Sequence, residues 1–235
     1  MKQWFPFTDY DLYAYLIAGS VLVVTVDYTF AGATLINRDH WTFIQIVFWI
    51  AAAYLSGQLV AGPAAALLEN IVAQRLLIAP SIILLGLKIP RLRERLIRAL
   101  FCPRYYQPLP TLVRERVMLR AAGNCLTPSS LPDAEAIFQA AFAKARTIPD
   151  VATRLDQFRN LYGFSRNLAF VAIIATALLA IQFYRTSSSE VLLLSVIAAI
   201  AAIGFFGRFI KFYAAFAAEV LRGFAFDLPA DGGKP

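Results

Sequence analysis

Long uncharged apolar stretches alternate along the chain with shorter stretches that hold nearly all of its charges. A membrane-spanning helix needs roughly 17–25 predominantly apolar residues, and four segments meet that requirement. They are Leu12–Ala31, Thr42–Leu68, Leu168–Tyr184 and Val191–Gly207. Because their apolar residues are continuous and do not alternate at every second position, the pattern predicts transmembrane helices and not the strands of a membrane barrel.

Two neighbouring stretches need a different interpretation. Leu76–Leu87 is too short to cross a bilayer and contains Pro80, which favours an interfacial or re-entrant segment, or a helix buried against the others. The N-terminal stretch carries Asp9 and Asp11 before its apolar run and only Lys2 as a base, and no convincing A-x-A cleavage site follows. We therefore expect a retained span and not a cleaved signal peptide.

Composition and charge support the membrane interpretation and add an orientation. The chain is 59% apolar and only 16% charged, whereas a soluble globular protein carries about 25% charged residues. With the N-terminus inside, the two external loops are Ala33–Trp41 and Arg185–Glu190, and each holds a single base. All other Lys and Arg residues then lie inside. The positive-inside rule therefore predicts that both termini and Glu69–Asn167 are cytoplasmic and that the chain lies in the inner membrane of the cell.

The predicted fold is all-α, with two transmembrane hairpins joined by a cytoplasmic helical insertion. Residues 1–87 form the first hairpin with its interfacial segment, 88–166 the basic cytoplasmic module, and 167–235 the second hairpin with a C-terminal helical extension. Within the module, the spacing of apolar residues predicts short helices over Leu109–Ala122, Asp133–Arg146 and Asp150–Tyr162.

The module opens with a basic amphipathic helix over Arg91–Phe101. Leucine and isoleucine recur there at helical spacing among four arginines. Such a helix either lies on an anionic inner leaflet, where each base contributes about 1 kcal/mol, or turns a solvated face outward while packing on the protein. The four candidate lipid-contacting residues are Arg91, Arg93, Arg95 and Arg98.

Helical periodicity continues beyond the fourth span, because no proline occurs between Val191 and Asp227. Large apolar residues there fall within one face of a helical wheel, which we call the C-terminal stripe. It consists of Phe209, Phe212, Tyr213, Phe216, Val220 and Phe224. A stripe of this kind is typical of a packing surface, and we expect it to couple the cytoplasmic module to the last span.

The residues available for catalysis are few. His40 is the only histidine and lies in a predicted external loop, while Cys102 and Cys125 lie in the reducing cytoplasm. No phosphate-binding glycine loop, nucleophile elbow or metal-ligand cluster is present, so we expect no cofactor and no enzymatic activity. The net charge of +7 follows from the positive-inside distribution, and no basic–aromatic platform for nucleic acid is visible.

Asp27 is the only ionisable residue inside a predicted span, and such residues are functional candidates by default. It lies about one turn from the outer end of its helix, so the simpler expectation is that its carboxylate reaches water or lipid headgroups. Glu69 and Arg208, at the inner ends of two spans, could pair with each other or line a vestibule.

Small residues recur at every fourth position in three spans, a pattern that lets helix backbones approach closely in lipid. Either helices of one chain pack through these faces, or separate copies of the chain do. Gln45 and Gln58 could bond between helices or face a polar lumen. The candidate packing residues are Ala53, Gly57, Ala61 and Ala65; Ala172, Thr176 and Ala180; and Ser195, Ala198, Ala199 and Ala202.

The opening run Tyr10-Asp-Leu-Tyr-Ala-Tyr-Leu-Ile-Ala-Gly19 resembles the first span of a group of uncharacterised bacterial membrane proteins, some of them associated with defence systems. Their pattern is an aromatic residue, Asp, Leu or Phe, any residue, Gly, Tyr, Leu, any residue, Pro and Gly. Here Ala14 and Ala18 stand at the Gly and Pro positions. The resemblance transfers no catalytic residue.

The sequence therefore predicts an oligomerising membrane protein, a channel or a membrane-perturbing effector, controlled by a cytoplasmic region that senses a cytosolic protein or a small signal. Two alternatives remain open. One is a membrane anchor that recruits a soluble partner, and the other is a transporter or membrane enzyme acting on a lipid or small apolar molecule.

Overall fold

The computed structural model describes residues 12–35, 37–88, 92–101, 107–123 and 131–226. Over these residues the chain is helical and contains no strand, so the all-α prediction is confirmed there. The helices are α1 (Ala18–Phe30), α2 (Phe43–Ala64), α3 (Pro80–Leu84), α4 (Leu92–Leu100), α5 (Thr111–Gly123), α6 (Leu131–Ala145), α7 (Pro149–Thr186) and α8 (Ser189–Phe226). Two π-helical segments, Leu12–Ile17 and Ala65–Leu76, adjoin α1 and α2.

Within the described residues, three helical stretches are long and apolar enough to cross a membrane: Phe43–Leu84, Pro149–Thr186 and Ser189–Phe226. These stretches include three of the four predicted spans, so the chain is suited to a membrane. The first predicted span corresponds to a shorter apolar helix, Ala14–Phe30.

The third span is not a separate helix, in contrast to the prediction. The short helix expected over Asp150–Tyr162 and the span expected over Leu168–Tyr184 are one uninterrupted helix, α7, of 38 residues. Gly163 lies between the two predicted segments and is buried in a helical conformation. A single glycine weakens a helix by only about 1 kcal/mol, which tertiary packing readily offsets.

Local sequence explains where α2 begins and where its hydrogen bonding changes. Thr42 and Gln45 form a capping box, in which each side chain accepts a hydrogen bond from the backbone N–H of the other. Pro63 lies inside the helix and removes one backbone donor. Two residues later the α-helix gives way to the π-helical segment Ala65–Leu76.

The described chain divides into two compact units, each built from stretches distant in sequence. The first unit comprises Met1–Val72 and Asn160–Phe209, and the second comprises Ala73–Arg159 and Ile210–Pro235. The sequence predicted three contiguous segments, with boundaries at 87/88 and 166/167. In the structure both long helices contribute residues to each unit, so neither unit is contiguous in sequence.

The first unit has a small core and an apolar exterior. Its core combines small residues with aliphatic ones, and half-buried phenylalanines pack around them. Many large apolar side chains instead point outward, among them Phe43, Phe48, Leu59 and Ile200. A soluble protein does not expose so much apolar surface, and lipid is the solvent that suits it. The core residues are Ala18, Val60, Ala64, Leu168 and Val171.

The second unit has several large aliphatic side chains in its interior. Ile83, Ile137, Val117 and Leu221 are completely or almost completely buried. Helix α3 packs against α6, and the carbonyl of Leu84 accepts a hydrogen bond from the Leu109 N–H. Pro80 occupies the first turn of α3, where its missing N–H costs no hydrogen bond.

Candidate functional site

The closest helix contact of the first unit lies where α2 meets the segment before and at the start of α1. A Cβ atom on Gly19 would overlap the carbonyl oxygen of Ala53, and one on Gly57 would overlap the carbonyl oxygen of Tyr15. Ala53 is completely buried at this crossing. Glycine is therefore required on both helices, and the predicted packing residues Ala53 and Gly57 act within one chain.

The other two residues of that predicted face are less buried than Ala53 and Gly57. Ala61 and Ala65 are only half-buried, whereas Val60 and Ala64 are buried. With 3.6 residues per turn, an exact four-residue repeat drifts about 40° per step around the helix. The buried face keeps its direction only by inserting a three-residue step, from Gly57 to Val60.

The second hairpin is joined by small and hydroxylated residues. The Ser195 hydroxyl of α8 donates a 3.2 Å hydrogen bond to the carbonyl oxygen of Thr176 in α7, and Ser195 is buried. The Thr176 hydroxyl donates to the carbonyl of Ala172. The other candidates differ in exposure: Ala172 and Ala202 are buried, Ala198 and Ala199 are half-buried, and Ala180 is exposed.

Asp27 does not reach water as expected, since only 8% of it is exposed. Its Oδ1 accepts a 2.6 Å hydrogen bond from the Thr34 hydroxyl, and its Oδ2 accepts one of 2.9 Å from the Leu35 N–H. Its carbonyl accepts from the N–H groups of Ala31 and Ala33. Asp27 therefore closes the turn after α1.

The hydrogen bonds of the Gln45 and Gln58 side chains stay within their own helix or its cap. Gln45 belongs to the capping box of its own helix, and the Gln58 side chain donates to the Tyr54 hydroxyl one turn earlier at 3.0 Å. The Tyr54 ring meets that of Tyr15 edge to face, with centroids 6.2 Å apart.

A buried polar network forms the most distinctive site of the first unit. Arg166 donates from Nη1 to the Glu69 carboxylate at 2.5 Å, and these side chains are only 11% and 19% exposed. The Arg166 Nε and Nη2 both lie 3.4 Å from the Asn167 carbonyl oxygen. The Asn167 amide in turn donates to the Ala14 carbonyl at 3.3 Å, and Asn167 is completely buried.

This network, which we call the Glu69–Arg166–Asn167 network, ties three helical segments together. Removing one partner of such a pair leaves an uncompensated buried charge, whereas the intact pair satisfies both charges. Glu69 pairs with Arg166, whereas the partner considered from the sequence was Arg208. The only signal in the sequence was the position of Arg166 and Asn167, directly before an apolar run.

The C-terminal stripe is largely buried. Phe209 and Val220 are fully buried, and Phe216 and Phe224 are 8% and 4% exposed, whereas Phe212 and Tyr213 are half-buried. In the first unit Phe209 packs beside the rings of Tyr162 and Phe206. In the second unit Phe216 packs beside Phe142, with ring centroids 5.8 Å apart.

Two arginine contacts hold the end of α8 within the second unit. Arg120 donates to the Phe224 carbonyl at 2.6 Å and lies over the ring of the same residue, and Arg154 forms a 2.7 Å ion pair with Glu219. Cations favour the carbonyl end of a helix, so Arg120 caps α8. The periodicity predicted the stripe but not these arginine partners.

Of the four basic lipid-contacting candidates, Arg91 lies outside the described residues. Arg93, Arg95 and Arg98 lie on α4, where Arg95 is exposed beside the exposed Leu92 and Leu96. The cysteines Cys102 and Cys125 also lie outside the described residues.

Within the described ranges no group of three or more His, Cys, Asp or Glu side chains is placed to hold a metal ion. His40 lies in the exposed loop before α2. The groups brought together are thus suited to packing, to an ion pair and to helix capping. No known family model, curated protein or solved structure matches this chain.

Proposed function

We propose that this chain is an oligomerising protein of the inner membrane that crosses the bilayer four times and changes membrane permeability when its cytoplasmic helical unit changes state. Both termini lie in the cytoplasm in this proposal. A cytosolic protein or a small signal acts on the second unit, and the first unit carries the response into the bilayer. The likeness of residues 10–19 to bacterial membrane proteins associated with defence systems agrees with an effector of this kind.

The observation that carries the proposal is the continuity of α7 and α8. Each has 38 residues and an apolar part suited to a membrane, and each also contributes residues to the second unit. Coupling between distant sites requires a packed, rigid element with two arrangements. The buried C-terminal stripe gives α8 extensive packing along the part that leaves the apolar region.

The Glu69–Arg166–Asn167 network supports the same proposal. Ionised side chains in a membrane-suited unit are costly and are functional candidates together with their partner. Arg166 and Asn167 lie in α7 near its passage from one unit to the other. In this proposal a change in α7 alters the ion pair between Arg166 and Glu69 and so acts on the membrane helices.

A membrane anchor that recruits a soluble partner is the second candidate. The Gly19–Gly57 crossing favours this candidate. The small residues at that crossing pack within one chain, so they are not available for contacts between copies of the chain. An oligomer would then have to form through other surfaces. In the anchor interpretation the first unit only holds the second at the membrane.

Topology is tested with reporter fusions. Fusions after Arg38 and Ser187 should report the outside, and fusions at Ser129 and Pro235 should report the inside. A cytoplasmic signal at Ser187 contradicts the four-span arrangement.

Function is tested with purified protein in liposomes that contain a self-quenched dye and an ion-sensitive dye. We expect leakage that rises with the protein-to-lipid ratio and falls in Phe216→Ala, whereas Leu193→Ala, an outward-facing change in α8, should leak normally. Cross-linking in the same liposomes should yield oligomers. Tight liposomes with a monomeric, folded protein would instead support the anchor.

A further inference from the structure

Helix α4 turns apolar side chains toward the solvent. Leu92 is 74% exposed and Leu96 is 54% exposed, and residues four apart lie on the same side of a helix. Ala99, three residues further on, is exposed as well. We call these three residues the α4 leucine face. Burial of a leucine side chain is favourable, so this face is stabilised by contact with an apolar phase.

The remaining apolar residue of α4 whose burial is described shows how the helix meets the protein. Ile97 is half-buried, and it lies about 100° around the helix from Leu96. The helix therefore contacts the second unit along a side that differs from the α4 leucine face. Of the two arrangements open from the sequence, Leu92 and Leu96 do not follow the one that packs the leucines on the protein.

Helix α6 of the same unit provides the contrast. Its Ile137 is completely buried, and its exposed described residues are polar or small, as is typical of a helix whose outer face meets water. The α4 leucine face has the opposite character, which indicates different surroundings. The exposed residues of α6 are Glu135, Ala136, Gln139, Ala143 and Lys144.

The charge of α4 indicates the kind of surface that covers its leucine face. The helix contains Arg93, Arg95 and Arg98 against Glu94, and Arg95 is exposed directly before Leu96. Arginines beside exposed leucines suit an anionic lipid leaflet, where apolar side chains enter the boundary between headgroups and acyl chains and the bases meet the phosphates. The phosphates of a nucleic acid would contact arginines but would leave the leucines in water.

The course of the chain keeps α4 close to lipid. Seven residues separate Leu92 from Leu84, the last residue of the membrane-suited stretch Phe43–Leu84. An extended chain covers about 3.5 Å per residue, so α4 begins within about 30 Å of the end of that stretch. A short tether raises the effective concentration of the second binding surface, and a small apolar face is then sufficient for docking.

We propose that α4 docks on an anionic lipid leaflet, with Leu92, Leu96 and Ala99 below the headgroups and Arg95 at the lipid phosphates. The contact requires that the chain lies in a bilayer, but it depends neither on oligomer formation nor on a permeability change. It makes the placement of α4 sensitive to the amount of anionic lipid and to salt.

The test measures the depth of a fluorophore on α4 in the full chain. Cys102→Ser and Cys125→Ser remove the native thiols, and Ala99→Cys receives an environment-sensitive probe that leaves both leucines in place. The protein is reconstituted into vesicles of phosphatidylcholine alone, or of equal parts phosphatidylcholine and phosphatidylglycerol, with a spin-labelled lipid as quencher. We expect quenching in the anionic vesicles that decreases in neutral ones and in about 1 M NaCl, where the Debye length is about 3 Å. A probe at Ala143→Cys on α6 is the matched control and should not be quenched.

Substitutions then separate the apolar from the charged contribution. Leu96→Ser should lower the ratio of docked to undocked helix about tenfold or more, because one leucine leaves the apolar phase. Arg95→Gln should lower this ratio about fivefold, which corresponds to about 1 kcal/mol for one base near an anionic surface. The matched controls are Leu119→Ser and Arg116→Gln on α5, which are also exposed and should leave the ratio unchanged.

The wild-type leucine face can overturn the proposal without any of these substitutions. A probe at Ala99→Cys that is not quenched in anionic vesicles shows that no lipid covers the face. A probe that reports an apolar environment without quenching by lipid shows that protein covers it instead. Equal quenching in neutral and anionic vesicles overturns the role of charge, and equal quenching at Ala99→Cys and Ala143→Cys overturns the assignment to α4.

Discussion

The two units of this chain are packed in different ways. In the first unit the helices meet through Gly19 and Gly57, with large apolar side chains directed outward. In the second unit, large side chains such as Ile137, Phe216 and Leu221 fill the interior. The hydrophobic effect drives the second arrangement in water, but lipid offers no such driving force, so helices there associate through close backbone approach and polar contacts.

The comparison also concerns charge. The first unit contains a nearly buried ion pair between Glu69 and Arg166, whereas the second has the more exposed pairs Arg154–Glu219 and Asp156–Arg159. An exposed pair contributes about 0–1 kcal/mol. A buried one is costly to break, because the remaining charge is left without a partner. Equivalent substitutions in the two units should therefore have very different effects.

The largest expected effect is that of Gly57→Leu in the first unit. Even a Cβ atom at this position overlaps the Tyr15 carbonyl, so the two helices must separate along the crossing. We expect loss of the folded, monodisperse protein in detergent, measured by size-exclusion chromatography and thermal unfolding.

Gly62→Leu is the matched control for that substitution. Gly62 lies in the same helix, and no atom lies within 4 Å of a Cβ built there. The control should unfold at the wild-type temperature. If both variants behave alike, the first unit is not packed through glycine, and the contrast between the units loses its main support.

Breaking the buried ion pair comes next. Arg166→Gln should destabilise the protein by about 3–5 kcal/mol, because the Glu69 carboxylate loses its partner. The paired substitution Glu69→Gln with Arg166→Gln should recover much of this loss, since no uncompensated charge remains. Unfolding measured for the single and double variants gives the coupling free energy.

The exposed pair provides the control for that cycle. Arg159 and Asp156 are both more than half exposed, and Arg159→Gln should change the stability by no more than about 1 kcal/mol. A loss in Arg159→Gln as large as in Arg166→Gln would show that burial is not what distinguishes the two units.

Phe216→Ala tests the aromatic interior of the second unit. Phe216 is 8% exposed and packs beside Phe142, so its removal should cost about 3–5 kcal/mol. Phe212 is only half-buried, and Phe212→Ala should cost distinctly less. Thermal unfolding measures these losses. Membrane extraction should show both variants inserted in the membrane, because the apolar spans are unchanged.

A reversed order of these two variants would contradict the burial pattern of the C-terminal stripe. If Phe216→Ala keeps both wild-type stability and wild-type liposome leakage, the stripe is not a packed interface and the proposed coupling fails.

Sequence patterns predicted the features that depend on neighbouring positions. Continuous apolar runs located the long helices, and the absence of proline after Val191 predicted that α8 continues beyond its span. The small residues Ala53 and Gly57 were recognised as a close-packing face. These inferences succeed because helical periodicity and hydropathy act over a few turns.

Features that depend on distant positions were missed. Glu69 and Arg166 are 97 residues apart, and no local pattern indicates which charges meet. Gly19 was not identified as the residue opposite Gly57, and Ala61 and Ala65 of the four-residue repeat are only half-buried within the chain.

The smallest effect expected is at the turn after α1, where the first unit uses a charge for local structure. Asp27→Asn keeps the size of the side chain but leaves one acceptor oxygen. That oxygen accepts from the Leu35 N–H, and the Thr34 hydroxyl must turn to accept from the new amide, so both hydrogen bonds become neutral ones. Bonds to a charged group contribute about 1.5–3 kcal/mol and neutral ones about 1, so we expect a loss of about 1 kcal/mol. Thr34→Val removes one donor from the same carboxylate, and the two substitutions together should be less than additive because they share a contact. If the losses of stability in the single variants add up to that of the double variant, Asp27 and Thr34 act independently. If liposome leakage in Asp27→Asn differs from that of wild type, the Asp27 carboxylate has a role in function as well as in the turn.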